Sequence, residues 1–253
     1  MRLIALVVFG LTASAQSVSV VSATGSNAGI APDSLASVFA ANIATTVQAA
    51  GAPPWPTSLG GVSDVTITDS MGTATPVSLI FVSPNQMNIW IPPAVAVGQG
   101  TLSFPPIGGG PALRTAPIMI QKTAPGIFSA DGTGSGPAAA TYISQVIGGP
   151  PATPQLTFIC DAPTKCQALA INLGIDTPTY VSLYGTGIRG AGNVTVMVGN
   201  VQVEPSYAGP QLQAPGLDQV NVPIPLNLRG AGLSNVTITA DGVTSNAVQI
   251  DIQ

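Results

Sequence analysis

Covalent catalysis needs side chains that exchange protons or attack, and this sequence supplies few of them. It has no His, and of its ten acidic residues only Glu204 is a Glu, which leaves nine Asp. The six basic residues include two Lys, and there are two cysteines. Asp64 and Asp69 fall on either side of a strand-like segment, and Asp161 lies between the cysteines. None has a partner at a spacing that suggests an acid and a base working together. Gly185-Thr-Gly187 lacks a following Lys and a following helix, so it reads as a turn and not a phosphate cradle. Asp131-Gly-Thr-Gly-Ser-Gly136 resembles a calcium loop only on the surface, with one carboxylate and no closing Glu, and it also reads as a turn. The expectation is a protein without catalytic residues, metal or cofactor.

The cysteines, Cys160 and Cys166, enclose five residues. In an exported chain such a pair reads as a local disulfide pinning a hairpin tip. Metal binding is disfavoured, because two thiolates without any His lack their remaining ligands. Asn193-Val-Thr and Asn235-Val-Thr match the glycosylation sequon, but they read as strand chemistry.

The most informative stretch is Gln86-Met-Asn-Ile-Trp-Ile-Pro92, because it returns as Gln219-Val-Asn-Val-Pro-Ile-Pro225. Alternation of amide and apolar residues with period two marks a strand, with Gln86 and Asn88 on one face and Met87 and Ile89 on the other. Pro92 and Pro225 close the two runs, since Pro cannot donate to the ladder. Two readings compete for the amides. In the structural one they satisfy backbone groups of the preceding loop, 207–218 in the second copy. In the functional one they form an exposed strip for sugar hydroxyls or a partner strand. Their occurrence in both copies favours the structural reading.

Parity puts Trp90 on the amide face, exposed or at an edge. Trp55, among prolines, reads as a plug over one end. With Tyr207 these are the weak candidates for contact with a ligand, an aromatic surface beside amides suiting a glycan or a protein partner.

The elements that position these residues follow from composition. Only 6% of residues are charged, far below the roughly 25% usual in soluble domains. With 45% hydrophobic residues the chain has the wrong balance for disorder. The 29 Gly and 24 Pro leave little room for helices, while Val, Ile and Thr fill the intervals, so the class is all-β. Segment 40–50 has the propensity for one short helical turn before Pro53 and Pro54 stop it. A net charge of −4 with scattered basic residues carries no footprint for nucleic acid or anionic lipid. Met1-Arg2, an apolar run from Leu3 to Leu11 and Ala13-Ser-Ala15 read as a secretory signal peptide over 1–15. No later apolar run is long enough to span a bilayer. The expected destination is outside the cytoplasm: periplasm, cell surface or medium.

More segments recur. Leu35-Ala-Ser-Val-Phe39 matches Tyr180-Val-Ser-Leu-Tyr184, Val65-Thr-Ile67 matches Val194-Thr-Val196, and Pro117–Ile120 is echoed by Ala247–Ile250. The expected organisation is two tandem immunoglobulin-like β-sandwich modules, 16–122 and 123–253, joined near Lys122–Pro125. Segments 137–143 and 156–160 are expected to add strands at the start of the second. The alternative is one closed barrel.

Thr123-Ala-Pro-Gly-Ile-Phe-Ser129, Asp131–Pro137, Val181-Ser-Leu-Tyr-Gly-Thr-Gly-Ile-Arg189, Tyr207-Ala-Gly209, Pro215–Pro223 and Gly242–Asn246 together resemble an uncharacterised C-terminal domain family named for Solibacter. Gly29–Phe39 and Leu59–Val62 resemble it too. The resemblance implies an Ig-like, IPT/TIG-like sandwich of exported bacterial proteins, with no established activity. On residues and resemblance together, the expectation is a non-enzymatic structural or interaction module, with a carbohydrate-binding module as the alternative.

Overall fold

The structure, a computed structural model, describes residues 17–26, 28–108 and 113–253. The signal-like segment 1–15 lies outside them. Almost every regular element is a strand, and the strands fall into separate sheets with free edges instead of one closed barrel. The fold is an all-β sandwich.

In the N-terminal half, one sheet runs in the order Ser19–Ser22, Leu35–Phe39, Gln86–Trp90, Ser78–Val82, Gln48–Ala49. The facing sheet runs Ala74–Pro76, Thr66–Thr68, Gly98–Phe104, Arg114–Ile120. Every pair in both is antiparallel. Between them lies an apolar cluster including Val38, Ile67, Leu79, Met87, Ile89, Leu102 and Phe104. Each such side chain, fully buried, contributes about 1.5–3 kcal/mol.

The C-terminal half repeats the plan. One sheet runs Gln155–Leu156, Ala140–Ser144, Thr179–Thr186, Asp218–Ile224, Tyr207–Pro210, with Gly126–Ile127 also paired to Thr179–Thr186. The other runs Ala170–Ile171, Val248–Ile252, Gly232–Ala240, Val194–Val198, Val201–Val203, with Val243–Thr244 paired to Gly232–Ala240. A second apolar cluster, including Val181, Leu183, Val196, Val220, Val222 and Ile238, fills the space.

Two local expectations change. Segment 40–50 forms no helix; among the described residues the only helical element is the 3-10 turn Leu226–Leu228. Segment 156–160 divides: Gln155–Leu156 joins the sheet, while Phe158–Ala162 pairs with Lys165–Ala168 as a hairpin outside both sheets. Cys160 and Cys166 face each other across that hairpin and are disulfide-bonded. Most of the hairpin's side chains are exposed and none is fully buried, so the bond compensates for a buried apolar face the hairpin does not have.

Candidate functional site

The two amide strips are built alike. Met87 and Ile89 are fully buried, which leaves Gln86, Asn88 and Trp90 on the outer face of their sheet. Asn88 lies opposite Ser37, and its Oδ1 accepts from Ser37 Oγ at 3.0 Å and from Gln86 Nε2 at 2.8 Å. In the other half Asn221 lies opposite Ser182, and its Oδ1 accepts from Ser182 Oγ at 2.9 Å and from Gln219 Nε2 at 2.8 Å. Sequence reasoning assigned these amides to the backbone of a preceding loop. They bond instead to each other and to a serine one strand away, because residues at i and i+2 share a face within reach of a Gln side chain. The Nδ2 groups of both Asn and the Oε1 atoms of both Gln make no hydrogen bond to the described residues. The closing prolines share a role as well. Pro92 O accepts from Val95 N at 3.4 Å and Pro225 O from Leu228 N at 3.0 Å, each turning the chain away from its strand.

Trp90 is half-buried, and its indole N–H donates to Asp33 Oδ1 at 2.7 Å. The other Asp33 oxygen accepts from Arg189 Nη1, which reaches across from the C-terminal half. Arg189 Nε donates to Asp218 Oδ1 at 2.6 Å, and Asp218 Oδ2 accepts from Ile188 N at 2.7 Å and Arg189 N at 3.3 Å. Thr186 Oγ1 completes the joint, accepting from Leu35 N at 2.8 Å and donating to Gly216 O at 2.7 Å. Gly216 sits at φ +74° so close to the N-terminal half that a Cβ there would lie 2.8 Å from Leu35 and 3.0 Å from Trp90. The face Trp90 was expected to offer a ligand is thus partly the seat of the other half.

Burial pushes the Asp218 carboxyl up, against the N–H groups and the Arg189 charge that pull it down. Burial also works against the Arg189 charge, but the two carboxylates outweigh it and hold the guanidinium above its usual range. This ion cluster is what sequence reasoning missed. A signal was available: parity places Asp218 on the inward face of its strand, and a lone inward carboxylate requires a partner.

Other carboxylates hold backbone. Asp69 Oδ1 accepts from Met71 N at 2.9 Å and Thr73 N at 3.0 Å, and Oδ2 from Ala96 N at 2.9 Å. The Ala96 bond above all keeps Asp69 below the ordinary carboxylate range. Asp131 Oδ1 accepts from Thr133 N and Thr133 Oγ1, which makes the calcium-like segment a closed turn. Burial works against the Asp131 charge, but its bonds to Thr133 and Ser129 outweigh it and hold the carboxyl low. Asp241 accepts from Lys122 Nζ at 2.7 Å and from Gly192 N and Asn193 N at 2.9 Å each, and is likewise held low, chiefly by Lys122. A depression of about 510 Å³ in the N-terminal half is lined by Asp69, Thr101 and Met119 among others. Its carboxylate is the one already engaged with three backbone N–H groups.

No family model matches the chain, and no curated protein matches it in sequence. Among solved structures it is similar to SGBP-B of the Bacteroides ovatus mixed-linkage glucan utilization locus, determined in complex with a mixed-linkage heptasaccharide. The two share 12% identity at a TM-score of 0.32, and the match covers 89% of this chain and 43% of that one.

The remaining candidates lie apart. Trp55 is half-buried beside the Pro53-Pro54 segment and donates from its indole to Gly51 O at 3.1 Å. Tyr207 is 40% exposed on the edge strand of the C-terminal sheet, opposite Asn221. Its Oη donates to Pro210 O at 2.6 Å, which draws the ring over Gly209, whose missing Cβ would lie 3.0 Å from that oxygen. Of the aromatic candidates, the structure brings only Tyr207 together with an amide strip without engaging it in the joint. No helix among the described residues is long and apolar enough to cross a membrane.

Proposed function

We propose that the chain is an exported, non-enzymatic pair of Ig-like modules that acts by holding or binding another molecule, akin to the Solibacter-named domains it resembles. The observation that carries this reading is the use made of five of its ten acidic side chains. Asp69, Asp131 and Asp241 each accept two or more hydrogen bonds from backbone or neighbouring side chains, and Asp33 and Asp218 clamp one guanidinium. A general base must have a lone pair facing substrate, and these five carboxylates face their own fold. The joint supports the reading too, since hydrogen bonds between Thr186 and Leu35 and between Arg189 and Asp33 tie the two halves together.

The test is turnover of chromogenic ester, glycoside and peptide substrates by the wild type and by Asp69→Asn and Asp131→Asn. The expected result is no turnover above buffer for any of the three proteins. Turnover by the wild type above buffer overturns the proposal, and its disappearance in either variant assigns it to that carboxylate.

A second reading, binding of carbohydrate, is favoured by one specific observation. The Tyr207 ring lies along the sheet edge with its hydroxyl already tied down, beside amides that retain hydrogen-bonding capacity.

A further inference from the structure

We propose that the outer face of the C-terminal sheet, at Tyr207, Gln219 and Asn221, is a binding site for a neutral polysaccharide chain. The proposal rests on the non-catalytic reading above and gives it a location and a ligand class.

The ring comes first. Tyr207 and Gly209 point to the same face of the edge strand, and the absent Gly209 side chain leaves space for the ring to fold over its backbone. The bond from Oη to Pro210 O fixes the second end of the side chain. A ring fixed at both ends is a stacking platform whose ordering cost has already been met in the free protein. Sugar rings carry axial C–H groups on one face and hydroxyls at the rim, so they need such a platform with polar groups beside it.

Those groups are in place. Asn221 lies directly opposite Tyr207, and Gln219 directly opposite Gly209. Ser182 and Gln219 together occupy the Asn221 oxygen, which aligns the amide and leaves Nδ2 as a donor. Gln219 Nε2 is engaged in that bond, which leaves its Oε1 as an acceptor. A fixed donor and a fixed acceptor two residues apart match a run of hydroxyls.

Charge selects the class. The flanking outward positions on the neighbouring strands are Tyr180, Tyr184, Thr141, Ile143 and Leu156, none of them ionic. An anionic polymer would find no counter-charge, and an apolar protein surface would strand the amide groups at a cost of about 1–3 kcal/mol each. In the N-terminal half the positions opposite Asn88 and Gln86 are Phe81 and Ser83, so neither the gap for a ring nor the tethered hydroxyl is present. The site belongs to one half only.

The experiment is affinity electrophoresis of the full chain through gels containing soluble glucan, mannan, xylan or galactan, and through gels containing anionic pectate or alginate. At least one neutral polymer should retard the wild type. Tyr207→Ala should weaken that retardation about tenfold or more. Gly209→Val, at a strand position without a left-handed φ, should weaken it comparably by lifting a ring that is still present. Trp55→Ala should leave it unchanged. Melting curves establish that each variant is folded, and the two site variants are alternatives if one is not. Retardation by none of the neutral polymers, by the anionic polymers alone, or equally in wild type and both folded site variants overturns the site. So does a concentration-dependent dimer in sedimentation that Tyr207→Ala abolishes, since a second copy is then the occupant. Reducing ends are measured in solution with the same neutral polymers. Their release refutes the non-catalytic reading and is independent of whether the gel is retarded, whereas failure of every neutral polymer to retard the wild type, without release, refutes the site alone.

Discussion

The two amide strips share a frame and differ at one end. Ile43 and Ile188 occupy corresponding positions after their strands, and both are buried. In the N-terminal half Ile43 N donates to Pro84 O at 2.8 Å, and small apolar residues, Ala40 and Ala44, pack beside it. In the C-terminal half Ile188 N donates to the Asp218 carboxylate, where the first copy has Asn85, and Arg189 stands where the first copy has Ala44. The same backbone need is met by a carbonyl in one half and by an ion cluster in the other. The difference tracks what lies beyond: the C-terminal end receives Asp33, Leu35 and Trp90 of its neighbour. The N-terminal end is closed largely with alanine, with Arg114 Nη1 donating to Asn42 O at 3.1 Å, while the end that meets the other half is built from a cluster of charged bonds.

The largest way to break this comparison is Arg189→Ala. It leaves the fully buried Asp218 without its cation and Asp33 without its partner, and losses of about 3–5 kcal/mol are usual when one member of a buried pair is removed. Urea unfolding followed by intrinsic Trp fluorescence measures it, and Trp90 at the joint reports directly. A loss below about 1 kcal/mol would place the cluster among exposed pairs of little consequence and remove the distinction between the two ends.

The strips themselves offer a matched pair of smaller effects. Asn88→Ala and Asn221→Ala each delete an oxygen that accepts from a serine and from a glutamine. Both amides are half-buried, so water replaces part of what is lost, and each variant should lose about 1 kcal/mol in chemical denaturation. Equal losses mean that the strip is the same structural device in both halves. A clearly larger loss for Asn88 would show that the joint leans on its strip through Trp90.

Much of this was legible in the residues. Period-two alternation located Gln86–Trp90 and Asp218–Ile224, and it put Met87, Ile89, Val220 and Val222 inside, because a strand offers only two faces and burial selects one. Ser37 and Ser182, like Asn88 and Asn221, fell at equivalent places in the repeated segments, but that each Ser pairs with its Asn did not follow from the residues. A side chain's partner depends on which strand lies beside it, and strand order is set by long-range packing that a local pattern does not encode. For the same reason Trp90 read only as exposed or at an edge: its alternation gave the face, but Asp33 and Gly216 reach it only once two distant segments meet. The Tyr207 platform depends on a gap at Gly209, and a glycine in a strand signals close approach without naming the group that approaches.

The smallest effect sharpens the comparison through pH. Asp69 in the N-terminal half and Asp241 in the C-terminal half both have carboxyls held below their ordinary value, Asp69 chiefly by Ala96 N–H and Asp241 chiefly by Lys122. A carboxylate depressed in the folded state adds stability that is fully present above the unfolded value, about 3.9. That stability is lost as pH falls through the lower folded value, so both halves should weaken on acidification from neutral pH to about pH 3. The two contributions separate with salt. The Lys122–Asp241 pair has an exposed ammonium and should fade at high ionic strength, where the screening length is about 3 Å at 1 M. The three backbone bonds of Asp69 are short, fixed dipoles and should persist. Asp69→Asn replaces one acceptor oxygen with an NH₂ group that meets the Ala96 N–H, so it should flatten the acid limb of the stability curve at either salt concentration. Lys122→Gln should flatten it only at low salt. If the two variants respond identically to salt, a single electrostatic mechanism serves both halves, and the contrast between a half held by its own backbone and one held by its neighbour's charges does not extend beyond the joint.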